Sequence, residues 1–290
     1  MTELKPKVGI IGGSGLYDIE GFTDRTKISV NTPFGKPSDD FVVGRLNGVE
    51  TGFLARHAVG HKLLPGEINY RANIYAFKVL GVEKIISVSA VGSFKAELKP
   101  LDIVVVDQFI DRTNQARTAT FFGKGIAAHV SFSEPVCAGL RKMLCEAGKE
   151  LNLRIHNGGT YVNMEGPAFS TKAESLLYKS WGADVIGMTN MTEARLAREA
   201  EICYATLAFV TDYDCWYEGE EEVSVEMVVQ NLFRNADNAK NLLKKAVSKV
   251  AGLKPGCKCA EALKNAVITQ KDLIPSDVRE ALKPIIGKYL

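Results

Sequence analysis

The stretch TKISVNTPFGKPSDDFVVGRLNGVETGFLAR, residues 26–56, decides what kind of α/β fold this chain can form. Its β-branched and aromatic residues alternate with polar ones, and prolines and glycines interrupt it. Asn47 and Gly48 separate two such runs, which is the pattern of a hairpin with a two-residue turn. We therefore predict an antiparallel meander here, and not the crossover helix of a nucleotide-binding βαβ unit.

The segment just before it, KVGIIGGSGLYD at residues 7–18, predicts a buried strand that runs into a glycine cluster. The glycines do not follow the Gly-x-Gly-x-x-Gly spacing of a dinucleotide site, and no Gly-Lys-Ser/Thr follows them. Such a turn can bind an anion through backbone N–H groups and the hydroxyl of Ser14. Taken alone, the segment would be better interpreted as a plain junction between a strand and a turn.

Strands and helices alternate over most of the remaining chain. Apolar periodicity predicts helices at 69–80, 134–151, 170–181 and 192–200, a long helix from about residue 223, and strands at 82–93, 101–110, 153–165, 183–189 and 203–211. This order predicts an α/β fold, a single domain with a central mixed β-sheet flanked by helices. We assign residues 1–252 to that domain and residues 253–290 to a C-terminal helix and arm packed on it.

Composition excludes several classes of function. The 290 residues can bury a large core, and their 46% hydrophobic and 24% charged content is ordinary for a globular protein. A net charge of +2 provides no basic field for nucleic acid. There is no apolar run of about 18 residues to span a membrane. The short charged N-terminus does not resemble a signal peptide, so we expect a cytoplasmic protein.

The six cysteines fall into two groups. Four of them stand singly in apolar surroundings and are interpreted as small buried hydrophobic residues: Cys137, Cys145, Cys203 and Cys215. Cys257 and Cys259 form a close pair after a Pro-Gly break. Two thiols do not complete a zinc site, and no histidine is near them in sequence, so we predict no metal site. Two reduced surface thiols are the simplest interpretation, and a redox-active or stabilising disulfide is the alternative.

Candidate ligand-binding residues, most of them polar, recur where predicted strands end, which is where ligands bind in α/β sheets. The candidates are Ser14, Arg56, His57, Ser89, Ala90, Met188, Thr189, Asp212 and Asp214. Each one alone could be a helix cap, a turn residue or part of a surface charge cluster. Together they predict an anion site with a separate pair of carboxylates.

Several stretches resemble the trimeric purine nucleoside phosphorylase family, and within it most of all the 5′-methylthioadenosine phosphorylases. They are GIIGGSGLYD, FLARHAVGHKLLPGEINYRANI, SVSAVGSF with DIVVVDQFIDRT, MEGPAFSTKAES, and WGADVIGMTNMTEARLAREAEICYATLAFVTDYDCW. They occur in the expected order, and the resemblance extends to about residue 245.

The resemblance implies a pentosyltransferase reaction. Orthophosphate would attack the anomeric carbon of 5′-methylthioadenosine, giving adenine and 5-methylthioribose 1-phosphate, in methionine and purine salvage. No cofactor is implied, because inorganic phosphate is a co-substrate. A homotrimer or a dimer of trimers is implied, with a neighbouring subunit completing each site.

The resemblance also implies roles for individual residues. Those that would hold phosphate are Ser14, Arg56, His57, Ser89, Ala90 and Thr189. Those that would contact the sugar, the base or the 5′ group are Met188, Phe169, Met164, Val225, Val228 and Val229, with His129 supplied by the neighbouring subunit. Asp212 and Asp214 would face the purine and be catalytic.

The carboxylate pair bears on the choice of base. A carboxylate accepts hydrogen bonds from a 6-amino group but repels a 6-oxo group, which favours adenine. The sequence does not decide which of the two acids donates a proton to the leaving purine, and we prefer Asp212 slightly. Residues 188–192 lack the proline usual at that point of the family, so a methylthioinosine or general purine nucleoside phosphorylase is the alternative. A nucleoside-binding protein without turnover is a third, weaker hypothesis.

Overall fold

A computed structural model describes residues 4–13, 16, 18–114, 117–218, 225–253 and 256–290, without the side chains of residues 225, 227 and 228. Its eleven strands are β1 (Val8–Gly12), β2 (Phe22–Ile28), β3 (Phe41–Leu46), β4 (Val49–Ala55), β5 (Lys84–Ser93), β6 (Ile103–Val105), β7 (Gln108–Arg112), β8 (Ile155–Asn157), β9 (Thr160–Met164), β10 (Val185–Gly187) and β11 (Cys203–Asp212).

All of these strands belong to one mixed sheet. The order β2-β3-β4-β1-β5-β10-β9-β7 forms one path, and β11 branches from β5 to pair with β6, which pairs with β8. Strand β1 is parallel to β4 and β5, while β3 is antiparallel to both of its neighbours, β2 and β4. The predicted mixed sheet and meander are therefore confirmed.

The predicted hairpin turn is also present. Strand β3 ends at Leu46 and β4 begins at Val49, and both turn residues have positive φ, 49° at Asn47 and 79° at Gly48. Asparagine and glycine tolerate this left-handed conformation better than other residues do, which is why the pair marks a tight hairpin.

Seven α-helices accompany the sheet within the described residues: α1 (Tyr70–Val79), α2 (Ala138–Glu150), α3 (Lys172–Ser180), α4 (Asn190–Glu199), α5 (Val225–Ala251), α6 (Ser276–Ala281) and α7 (Lys283–Ile286). Two segments that we predicted as single strands each contain two strands, so these two predictions were wrong. The run 101–110 is divided into β6 and β7, which pair with different neighbours, and 153–165 is divided into β8 and β9. Apolar content alone does not show where a chain leaves one part of a sheet for another.

The helices cover the sheet with two main hydrophobic clusters. On one side, α2 and α5 bury residues such as Leu144 and Leu243 against β5 and β11. On the other side, α1 and α4 pack with apolar residues of the C-terminal segment, among them Leu263 and Ile286. Residues 256–290 thus contribute side chains to the same hydrophobic cores as the preceding chain. Within the described ranges, no helix is long and apolar enough to cross a membrane.

Candidate active site

A cavity of about 380 Å³ opens where several strands end. Strands β1, β4, β5 and β11 run parallel, so their carboxyl ends meet there, and β10 approaches β5 from the opposite direction. The structure brings ten of the predicted site residues to its lining: Arg56, His57, Ser89, Ala90, Met164, Phe169, Met188, Thr189, Asp212 and Asp214.

Arg56 lies at the floor of the cavity in a buried ion pair. Its Nε is 2.5 Å from Glu193 Oε1, and its Nη2 is 3.3 Å from Glu193 Oε2. Nη1 donates to the carbonyl of Val88 and Nη2 to the hydroxyl of Ser87. Within the described residues, four of the five guanidinium N–H groups are thereby engaged, and one on Nη1 is left for a ligand. Burial alone would lower the pKa of Arg56, but Glu193 raises it above its usual value.

A network of buried polar groups fixes Glu193. Its Oε2 also accepts hydrogen bonds from Ser87 Oγ at 2.7 Å and from the hydroxyl of Tyr204 at 2.8 Å. The side-chain amide of Asn190 donates to Ser87, Tyr204 and Thr206. Buried charges and amides are tolerated only when they are satisfied in this way. The network therefore orients Arg56 beneath the cavity.

His57 is held as a neutral imidazole. Its Nδ1 lies 2.8 Å from the carbonyl of Leu63, so Nδ1 carries the proton and donates it there. Burial, followed by the charge of Arg56, lowers the pKa of His57 to about 4. The ring stacks on His61 with centroids 4.3 Å apart. At neutral pH, Nε2 is consequently an acceptor, able to take a hydrogen bond from a P–OH group but not to donate one.

Two hydroxyls and a helix terminus complete the anion side. Among the described residues, the buried Oγ of Ser89 has no hydrogen-bond partner, so it is available to a ligand. Thr189 is buried and is the N-cap residue of α4, but its side chain does not cap the helix. The positive end of a ten-residue helix therefore opens at the cavity beside a threonine hydroxyl.

Asp212 and Asp214 stand together at the end of β11. Asp212 Oδ1 accepts from the Asp214 backbone N–H at 2.8 Å, and Oδ2 accepts from the Thr211 hydroxyl at 2.7 Å. Both acids pack on Gly92, where an added Cβ would lie 2.9 Å from Asp212 Oδ1 and 3.3 Å from Asp214 Cβ. Asp214 adopts φ 51°, a conformation that is unusual for a non-glycine residue.

The two acids differ in their hydrogen bonding. Both oxygens of Asp212 are engaged, whereas the buried Oδ2 of Asp214 has no partner in the part of the chain that the structure describes. Burial raises the pKa of both carboxyl groups. For Asp212 the two donors oppose this effect on the pKa; for Asp214 the nearby Ser175 hydroxyl opposes it, whereas the charge of Asp212 adds to it. Because Oδ2 of Asp214 lacks a donor among the described residues, Asp214 is the acid that can carry a proton without losing an existing hydrogen bond.

An apolar wall faces these polar groups. Met164, Phe169 and Met188 contribute to it, and Phe169 is 62% exposed at the cavity mouth. Behind the wall, Arg117 donates to the carbonyl of Met188 and to the carbonyl and side chain of Glu165. Arg117 thus connects the end of β10 to the loop after β9. These contacts position Met188 and Met164, two of the three apolar residues.

Five predicted residues do not line the cavity within the described structure. Ser14, and the side chains of Val225 and Val228, lie outside the described residues, although the neighbouring Gly13 does line it. Val229 is 40% exposed and His129 is exposed, its backbone paired with Ala266 of the C-terminal segment. Helix α5 lines the cavity further along its length, with Leu232, Asn235, Ala236 and Ala239.

Sequence reasoning missed Glu193, Arg117 and the inward residues of the middle of α5. Glu193 looks like an ordinary charged position in TEARLAREA, and 137 residues separate it from Arg56. The helical period of the apolar residues from Leu232 to Ala239 was the one available signal, since it places them on one face. Nothing local in the sequence distinguishes that face as a cavity wall.

Comparison with known proteins agrees with this geometry. The sequence profile of the Phosphorylase superfamily matches residues 7–248. The chain belongs to that family.

Its relatives include an S-methyl-5′-thioadenosine phosphorylase of Koribacter versatilis, 55% identical, with 99% of this chain and 97% of the relative covered. A second, from Thermosynechococcus vestitus, is 56% identical with 98% and 99% covered. A crystal structure of a methylthioadenosine phosphorylase from an antarctic soil metagenomic library has a TM-score of 0.93 at 48% identity, with 98% and 99% covered. That of Schistosoma mansoni in complex with adenine has a TM-score of 0.85 at 38% identity, with 93% and 100% covered.

Proposed function

We propose that this phosphorylase cleaves 5′-methylthioadenosine with inorganic phosphate, giving adenine and 5-methylthioribose 1-phosphate. The observation that carries the proposal is the spacing of two unlike groups along β5. Arg56 contacts the carbonyl of Val88, whereas Asp212 and Asp214 pack on Gly92. Four residues of strand span about 13 Å, which leaves room for a ribose and a purine between an anion and a carboxylate pair. Relatives with this named activity cover nearly the whole chain.

Phosphate would occupy the side of the cavity built by Arg56, His57, Ser89 and Thr189. The free N–H of Arg56 and the two hydroxyls donate to its oxygens, and the neutral His57 accepts from its remaining proton. As the glycosidic bond breaks, the ribose gathers positive charge. A phosphate held rigidly beneath the sugar stabilises that charge and is also the nucleophile. No cofactor enters this scheme, since phosphate is a co-substrate.

The purine would bind against the carboxylate pair. The ionised Asp212 has lone pairs left to accept a hydrogen bond from the 6-amino group of adenine. The free Oδ2 of Asp214 can carry the proton that N7 needs as the base leaves. These contacts support Asp214, and not Asp212, as the general acid. Met164, Phe169 and Met188 would cover the sugar and base, and Val225, Val228 and Val229 would border the methylthio group.

Single substitutions at the two acids test this assignment. We expect Asp214→Asn to lower kcat/KM for methylthioadenosine and methylthioinosine together, because proton donation is lost for both bases. We expect Asp212→Asn to shift preference toward methylthioinosine, because an amide can donate to a 6-oxo group. If neither variant changes either kcat/KM by tenfold, about 1.4 kcal/mol, the pair does not contact the base.

Three further points belong to the proposal. Adenine formation should require phosphate, and product formed without it would indicate a hydrolase. The reaction would serve methionine and purine salvage in the cytoplasm. We also propose a homotrimer, or a dimer of trimers, in which His129 of one subunit approaches the 5′ group bound by the next. Sedimentation of the purified protein as a monomer would contradict the last point.

A further inference from the structure

Four cysteines from separate parts of the chain meet at the far end of the sheet. The Sγ atoms of Cys137, Cys203, Cys257 and Cys259 all lie within 4.8 Å of one another. We name this group the cysteine cluster. The surface position predicted for the Cys257/Cys259 pair was wrong for Cys259, which is buried. Cys137 and Cys203 are buried in the hydrophobic core as predicted, but they do not stand singly, because the fold brings both of them to that pair. The argument that two thiols cannot complete a metal site therefore no longer applies.

The cluster joins two elements, α2 and β11, to the C-terminal segment. Cys137 is the N-cap residue of α2, and Cys203 is the first residue of β11. Cys257 and Cys259 follow α5 at the start of the chain that continues to residue 290. The ten residues of β11 separate Cys203 from Asp212, roughly 30 Å, so the cluster is remote from the cavity.

The sulfur positions fit metal ligation better than disulfide bonds. A tetrahedral zinc site with Zn–S bonds of about 2.3 Å needs sulfurs about 3.8 Å apart. The sulfurs of Cys203 and Cys257 are 3.4 Å apart, and every pair in the cluster is within 4.8 Å. A disulfide would need about 2.05 Å, and all four cysteines are free thiols here. Small shifts of four side chains would thus give tetrahedral coordination.

The charges around the cluster favour thiolates. Cys137 stands at the positive end of α2, a thirteen-residue helix, where a negatively charged sulfur is stabilised. Lys84 pairs with Cys203 in the adjacent parallel strand and is buried, with Nζ 3.5 Å from the carbonyl of Ala251. Paired residues in neighbouring strands point to the same face, so a buried ammonium lies on the side of the sheet that carries the sulfurs. Four thiolates around a divalent ion would bear two negative charges, which these groups partly offset.

We propose that the cysteine cluster is a structural Zn²⁺ site that fastens the C-terminal segment to α2 and β11. Four thiolates form a closed coordination shell with no open position, as structural zinc sites have and catalytic ones do not. Three of the four ligands are buried and Cys257 is partly exposed, which leaves a path for the ion to enter. The ion would replace weak thiol contacts by bonds that link residues more than 50 positions apart.

The test compares metal content in reduced protein. Wild type, Cys257→Ser, Cys259→Ser and the control Cys145→Ser are purified under reducing, oxygen-free conditions after zinc addition, and zinc per chain is measured. Cys145 is a buried cysteine of the same helix α2 that lies outside the cluster. We expect about one zinc per chain in wild type and in the control, and less than about a tenth in the two cluster variants. Cobalt added to zinc-free wild type should give the intense absorption bands of a tetrahedral thiolate site.

Two results would overturn the proposal. The first is wild type that remains metal-free after zinc addition with all thiols titratable. The second is an intact mass reduced by two or four hydrogens, which would show disulfides instead. Cys257→Ser is the informative variant if Cys259→Ser does not fold, because Cys257 is the most exposed ligand. Phosphorolysis should change less than about twofold in Cys257→Ser, since the cluster is far from the cavity.

Discussion

Replacement of Glu193 by glutamine tests whether Arg56 depends on a buried counter-charge. In the native protein the carboxylate contacts Arg56 through both oxygens, and the two side chains are 2% and 3% exposed. The variant keeps the shape of the side chain but leaves the guanidinium without its anion. Removal of one partner of a buried pair costs about 3–5 kcal/mol because the remaining charge is uncompensated. We therefore expect the free energy of unfolding to fall by about that amount.

The matched control is Glu199→Gln on the same helix. Glu199 is also a buried carboxyl, but among the described residues its hydrogen bonds come from the Phe121 backbone N–H and the Thr120 hydroxyl, and Arg195 pairs with Asp111 instead. Burial raises its pKa to about 7, so near neutral pH much of it is already the neutral acid that glutamine resembles. Its substitution should cost about 1 kcal/mol, the worth of one hydrogen bond.

The assay is urea unfolding of both variants with and without phosphate. Phosphate should restore part of the stability lost in Glu193→Gln, because its charge replaces the missing carboxylate near Arg56. It should have an equal effect on wild type and Glu199→Gln. If the two variants lose the same stability, within about 1 kcal/mol, the ion pair does not carry the energy assigned to it. An equal effect of phosphate on all three proteins would place the anion elsewhere.

Two more predictions follow from the same contacts. Gly92→Ala should lower kcat/KM for methylthioadenosine at least about tenfold, because the new Cβ would meet Asp212 Oδ1 at 2.9 Å, whereas Gly52→Ala, with 3.5 Å to its nearest neighbour, should change it little. The pKa of Glu199 rises from 4.5 to about 7 on folding, so the folded state binds more protons in that range. Its contribution to stability is full below pH 4.5 and is lost as pH rises toward 7, and Glu199→Gln should remove that part of the pH dependence of urea unfolding.

Local patterns in the sequence determined most of the secondary structure and the position of the site. The hairpin at Asn47 and Gly48 was predictable because these two residues tolerate the left-handed conformation that the turn requires. The strand ends were predictable because a run of apolar residues stops where the chain leaves the sheet. Asp212 and Asp214 could be assigned to one site since both lie at the end of a single buried strand.

Only the tertiary structure decided which distant groups meet. Glu193 contacts Arg56 across 137 residues of sequence, and Cys137 lies beside Cys259 although α2 and β11 separate them along the chain. No residue near either partner in sequence signals such a pair, because the contact depends on which face of a helix packs against which strand. Hydrophobic periodicity encodes that a face is buried, but not what it is buried against. The partner of a charge or a thiol is set by the packing of the whole sheet, and its chemistry follows from that packing.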